Sequence, residues 1–196
     1  MARALAVAAA LLLPAALGAE PRSFVIDPAR TTLVAHFGAT LQRVEARLGS
    51  AEGSLHFDDH GGTASGDIVL DLTGAETGVG RRDRKMHEKI LETPRYPRAV
   101  LHLDRLDLPV PLHPGANRLQ LHGALDFHGQ TRPLAIPLVA EVAGDAVTAT
   151  GKLVVPYVEW GLRDPSYVLL RVAKSVTVDI QAAGRLSSPS AATSTQ

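Results

Sequence analysis

The chain has 196 residues, with 20 basic and 20 acidic side chains and no cysteine. A zero net charge removes the long-range attraction that a polyanion requires, so nucleic acid is excluded as a partner. The lack of cysteine excludes disulfides, thiolate catalysis, covalent haem attachment and cysteine-held metal, and leaves packing alone to stabilise the core.

The first residues read as an export signal. Arg3 precedes an apolar run from Ala4 to Leu17, interrupted only by Pro14, and Gly18 and Ala19 supply the small residues of a cleavage site before Glu20. The run is shorter than the ~20 residues of a spanning helix. Residues 1–19 are therefore read as a signal peptide, 20–185 as one domain, and 186–196, mostly Ser, Ala and Thr, as a disordered tail. The expected location is periplasmic or secreted.

Strand signals dominate the chain beyond this leader. Leu33, Ala35 and Phe37 alternate with polar or smaller neighbours in residues 31–37, and Leu55 and Phe57 do the same in residues 53–58. The glycine-rich turn at residues 58–62 leads into residues 67–72, where Ile68, Leu70 and Leu72 share one phase. Residues 81–91 change period. They are charged and polar, with Met86, Ile90 and Leu91 at helical spacing, and Pro94 and Pro97 end that helix. Strands resume at residues 99–106, with Leu101 and Leu103. After a loop holding Pro109, Pro111 and Pro114 comes the clearest strand, residues 119–127, with Leu121, Gly123, Leu125 and Phe127 in phase. Ile136 and Leu138 lie on the return strand, Val147 to Val155 forms another, and a last strand from about Leu169 to Ala183 carries Val176 and Val178. The fold class is thus all-β: about eight antiparallel strands with one short amphipathic helix, either a sandwich or a closed barrel.

One strand face is apolar throughout, which suits a packed core or a ligand cavity equally. Two features favour the cavity. The chain has only one Trp, three Tyr and four Phe to fill a barrel, and the small residues Ala35, Gly123, Ala140, Ala149, Gly151 and Ala182 recur on the apolar phase. The expected ligand-facing set is Phe37, Leu55, Phe57, Ile68, Leu70, Leu101, Leu103, Leu121, Leu125, Phe127, Ile136, Leu138, Val176 and Val178. Met86, Ile90 and Leu91 are expected to close one end, and Trp160 either to close the other or to contact a ring-shaped head group. Enlarging Ala149 or Gly123 is expected to block the interior without unfolding it.

Catalytic and metal readings are weaker. There is no Gly-x-Ser-x-Gly elbow, Asp164-Pro165-Ser166 reads as a turn, and no zinc-type histidine spacing occurs; His56 and His60 with Asp58 and Asp59 offer at most a weak surface cluster. No catalytic residue, no metal ligand and no required cofactor are assigned. Arg81, Arg82, Arg84 and Lys85 form a basic run, either a solvated helix face or a transient contact with anionic membrane headgroups. A second copy of the chain is retained as a potential partner.

Several blocks, in order, resemble the YceI-like polyisoprenoid-binding proteins. They are Phe24-Val25-Ile26-Asp27-Pro28, residues 53–58, Arg82 to Met86 with Tyr96-Pro97, Gly123 to Pro133, and Trp160-Gly161-Leu162. The resemblance implies a lipocalin-like barrel that holds an isoprenoid lipid, such as a quinone or polyprenyl chain, for carriage or sequestration outside the cytoplasm. The alternative is a structural or stress-associated interaction protein with a packed, ligand-free barrel.

Overall fold

The computed structural model describes residues 21–39, 42–109, 111–166 and 172–187. The signal-peptide reading and all of the tail beyond Ser187 lie outside the described residues. The strands are β1 (Pro21–Ile26), β2 (Thr32–Ala39), β3 (Gln42–Arg47), β4 (Ala51–Asp58), β5 (Gly62–Asp71), β6 (Arg98–Asp107), β7 (Gly115–Phe127), β8 (Gln130–Ala143), β9 (Ala146–Val155) and β10 (Val176–Ser187). A helix, α1 (Gly80–Lys89), joins β5 to β6.

All pairings are antiparallel, and β1, β4 to β10 in turn, then β1 again close an eight-strand barrel. β1 and β2 form one bent line beside β10: Ile26 pairs with Gly184 and Thr32 with Gln181. A 3-10 turn at Pro28–Arg30, capped by the Asp27 carboxylate accepting from Ala29 N at 3.0 Å, makes the bend. There the Thr31 hydroxyl takes over the broken ladder, donating to Ala183 O and accepting from Ala183 N at 3.1 Å. β3 and β4 form a second bent line, which pairs β2 and β1 in turn. Beyond β3 the sheet is not continued by β5. The segment after β5 lies there instead, and Arg47 and Glu76 exchange both backbone bonds.

Because β1–β2 and β3–β4 each run as one line and every line reverses the one before it, the connections sort into two ends. The β2–β3 and β7–β8 turns, the α1 segment and the β9–β10 loop lie at the upper end; the β4–β5, β6–β7 and β8–β9 connections lie at the lower end. Alternation puts one set of side chains inside. β6 shows how a bulge corrects it: Ala99, Leu101 and Leu103 are buried at every second place, then the register slips between Leu103 and Arg105, so that Leu106 and not Arg105 returns inward. Leu106 is 2% exposed; burying such a side chain contributes about 1.5–3 kcal/mol.

The lower half is packed solid. Leu55, Phe57, Ala64, Leu103 and Leu106 meet there, and Ala140, Val142, Val147 and Ala149 form an adjoining cluster with Phe24 and Leu186. Asn117, an inward polar residue, is buried and nearly satisfied: its amide donates to His113 O at 2.7 Å and Gly115 O at 2.8 Å, and its oxygen accepts from His113 N at 3.0 Å. It thereby staples the proline-rich β6–β7 loop across the lower end.

Two boundaries differ from the sequence reading. Leu186 and Ser187, read as the start of the tail, belong to β10: they pair with Phe24 and Ser23, and Leu186 packs into the lower core. The last strand starts at Val176; Leu169 to Arg171 lie outside the described residues, and residues 172–175 run as a loop tied by Ala173 N to Gly38 O at 2.8 Å.

Candidate ligand-binding site

Above the packed half the barrel holds a cavity of about 790 Å³, a size suited to a small lipid or cofactor. Its wall is built by the inward phase of the strands: Leu33, Ala35 and Phe37 of β2, Ile68 and Leu70 of β5, Leu101 of β6, Leu121, Leu125 and Phe127 of β7, Ile136 and Leu138 of β8, and Val176, Val178, Ile180 and Ala182 of β10. Ala35, Ala51, Ala99 and Ala182 keep the space open, because a methyl group reaches only a short way from the strand. Such a wall offers many dispersion contacts and few hydrogen bonds, so it selects for shape and apolar length.

The upper end is framed by α1 and by the β9–β10 loop. Met86 reaches the cavity from the helix, Ile90 and Leu91 from the turn that ends it, and Tyr157, Trp160 and Leu162 from the loop. Tyr157 is buried, meets Phe37 edge-on at 6.4 Å between ring centroids, and donates its hydroxyl to Ala173 O at 2.8 Å. Burial, with the Asp164 carboxylate as a smaller influence, pushes its phenol above the ordinary range and keeps it neutral. Trp160 packs edge-on against Phe127, its carbonyl accepts from Arg132 Nη2 at 2.8 Å, and the Arg132 guanidinium lies 5.1 Å from the indole centroid. The helix is anchored by His87: Nε2 lies 2.8 Å from Ala75 O and Nδ1 lies 3.0 Å from Thr93 Oγ1. A carbonyl can only accept, so Nε2 carries a proton. At the start of α1, Thr77 donates its amide and hydroxyl to Asp83 and accepts from Arg82 Nε at 2.7 Å. The Thr77 hydroxyl bond above all holds the Asp83 carboxyl below its usual range.

The predicted residues therefore divide. Phe37, Ile68, Leu70, Met86, Ile90, Leu91, Leu101, Leu121, Leu125, Phe127, Ile136, Leu138, Trp160, Val176 and Val178 all border the cavity. Leu55, Phe57 and Leu103 point inward but do not reach it; they belong to the packed lower half, because the space narrows below the level of Leu101 and Leu121. Trp160 is not at the end opposite the helix. Strand parity puts the β5–β6 and β9–β10 connections at the same end, and both border the same opening. The two blocking substitutions also need correction. Ala149 packs against Ala140, Val142 and Val147 outside the cavity, and a side chain at Gly123 would meet the His102 carbonyl oxygen at 2.2 Å, where β6 and β7 cross closely.

Wall residues absent from the predicted set are of two kinds. Leu33, Ala35, Leu153, Val155, Ile180 and Ala182 sit on phases already read as apolar, and that alternation was the signal for them. Val44, Leu48 and Tyr157, with Arg81, Arg82 and Lys85, carried no strand or periodicity signal toward an interior. The histidine-bearing cluster is distant from all of this. Asp58, Asp59 and His60 bring ligand-type atoms within 4.8 Å of one another in the lower β4–β5 turn. Turn chemistry accounts for them: Asp58 accepts from His60 N at 2.8 Å, and Asp59 faces both His60 and Arg22. Ser166 N donates to Asp164 Oδ1 at 2.8 Å, so that segment is a side-chain-closed turn as expected.

A closed antiparallel barrel, packed at one end and hollow with an apolar wall at the other, defines a small enclosing β-barrel. The chain belongs to the YceI-like domain family, whose model matches residues 24–183. No curated protein matches it. Among solved structures it is similar to a polyisoprenoid binding domain from Saccharophagus degradans implicated in plant cell wall breakdown, at 18% identity and a TM-score of 0.65, over 85% of this chain and 98% of that one. It is also similar to Burkholderia cenocepacia BcnA, at 16% identity and a TM-score of 0.67, over 81% of this chain and 98% of that one. A Campylobacter jejuni YceI protein matches at 11% identity with a TM-score of 0.58, over 74% of this chain and 86% of that one. At these identities the likeness is one of fold.

Proposed function

We propose that the protein binds one apolar, isoprenoid-type lipid in the upper half of its barrel, and carries or sequesters it outside the cytoplasm without chemically altering it. The carrying observation is the cavity itself, whose wall is apolar from Leu121 at its base to Phe127 and Trp160 at its opening. Membership of the YceI-like family, and the description of the Saccharophagus degradans relative as polyisoprenoid binding, support the same ligand class. The non-catalytic reading is supported by the polar groups on the wall. Thr31 is engaged with Ala183, Thr77 with Asp83, and Tyr157 with Ala173, so each is held by the fold. The extracytoplasmic setting rests on the leader-like residues 1–19. A wholly packed barrel describes only the lower half.

The test is mass spectrometry of organic extracts from protein purified out of its native host and out of a heterologous one. A stoichiometric prenyl lipid in the extracts is the expected result. Empty extracts from both hosts, together with no uptake of added prenyl lipid, would discard the reading.

A further inference from the structure

The cavity ends below on a bulky side chain. Phe24 of β1 packs against both lower clusters, the only aromatic residue to do so among the described residues. It pairs with Leu55 on β4 and with Leu186 on β10, both of which belong to the packed half. Its ring does not stay at that level. Gly184 lies one inward step higher on β10, opposite Ile26, and a Cβ there would stand 2.6 Å from two ring atoms of Phe24. The ring therefore leans up the barrel and fills the place of the side chain that Gly184 lacks. Ile26 on β1 and Ala182 on β10 border the cavity, whereas Phe24 and Gly184, the next inward positions below them, do not. On these two strands the apolar wall stops at the ring.

On the reading that the cavity takes a prenyl lipid, we propose that Phe24 is the stop that sets how long a chain the barrel accepts, and that the ligand is a short prenyl chain. At about 30 Å³ for each non-hydrogen atom, the share of a molecule in liquid water, a cavity of about 790 Å³ holds about 26 such atoms, or about five isoprene units. A longer chain meets the ring below and leaves its remaining units outside the upper opening. Each unit inside is removed from water and each unit outside is not, so affinity rises with length only as far as the ring. Depth alone then sorts chains of identical chemistry, and no polar contact is needed for the choice. Removing the ring frees a space close to the bulk of one isoprene unit, directed toward Leu55 and Leu186.

The experiment offers the full-length protein a series of all-trans prenyl alcohols in detergent micelles, from farnesol through geranylgeraniol and geranylfarnesol to solanesol, and reads the occupant by native mass spectrometry. Units that cannot enter must leave the micelle for water, so occupancy should peak at geranylgeraniol or geranylfarnesol and be about tenfold or more lower for solanesol. In F24A the peak should move to a chain longer by about one unit. F24L, the milder change, should move it in the same direction by less, and it carries the comparison if F24A no longer melts cooperatively. V142A, which also removes bulk from the packed half but away from the ring, should keep the original peak. Solanesol held as well as geranylgeraniol by the unaltered protein would overturn the stop while leaving lipid binding in place. A folded F24A with the original peak, or a V142A shifted equally, would overturn the role of Phe24. Uptake of no prenyl alcohol at all would overturn lipid binding itself.

Discussion

His102 stands on the outer face of β6 between two carboxylates, with Nδ1 2.7 Å from Asp67 of β5 and Nε2 3.3 Å from Asp126 of β7. The Asp67 bond is the main reason that its pKa is raised above 6.5, with Asp126 adding to it. The folded protein then holds this proton more tightly than the unfolded chain. The stabilisation is complete below pH 6.5 and fades as the pH rises through the folded-state value. An NMR titration should place the His102 midpoint above 6.5, and Asp67→Asn should bring it down; a midpoint at or below 6.5 in the unaltered protein contradicts the geometry. At the lower end, Asn117→Ala would strip partners from His113 N, His113 O and Gly115 O. Urea unfolding should show a loss of about 1–3 kcal/mol, the usual penalty for buried polar groups left unmatched, with lipid uptake above unaffected. The His102 pairings were not legible in the sequence, because only the strand register brings Asp67 and Asp126 beside it; the Asn117 bonds are local but depend on the path of a proline-rich loop that periodicity does not give.

At the scale of elements the alternation was legible and the depth along each strand was not. Period-2 patterning identifies which face of β7 points inward, so Leu121, Leu125 and Phe127 were found. It cannot tell that Leu103, equally inward on β6, lies in the packed half. β3 passed unread as a strand because Val44, Ala46 and Leu48 are set among Arg43, Glu45 and Arg47 in a stretch too short to stand out. The position of Trp160 was in principle available from counting reversals, since loops separated by an even number of strands share an end. Size at inward positions now has a measurable consequence that depends on depth. Ala182→Leu should fill part of the cavity, lowering lipid uptake while the thermal melt stays cooperative. Gly123→Val should instead lower the melting temperature, since its side chain would meet the β6 backbone. If Gly123→Val melts like the unaltered protein, or Ala182→Leu takes up lipid normally, the division between hollow and packed halves is wrong.

For the molecule as a whole, fold class and family membership were readable from the order of weak blocks along residues 23–183, because a barrel needs every strand and so spreads its signature thinly. The division into a packed floor and a hollow upper half came only from three dimensions. It makes stability and binding separable: Asn117, Leu103 and Leu106 hold the floor, whereas Leu125, Ile136 and Ala182 border the space above.

The barrel is completed by four residue pairs between β1 and β10, from Ser23 with Ser187 to Ile26 with Gly184. Ser23 and Ser187 are separated by 164 positions along the chain, so this seam is among the last things that can form. During synthesis β1 can pair early with β4 through the local bend, but its other edge has to wait for the final strand to emerge. An open strand edge is a template for other chains, and contacts so distant in sequence form slowly. Folding of this protein is therefore a race between its own last strand and a neighbour's, and its vulnerability to aggregation is set by time and crowding before closure, whatever the stability of the closed barrel.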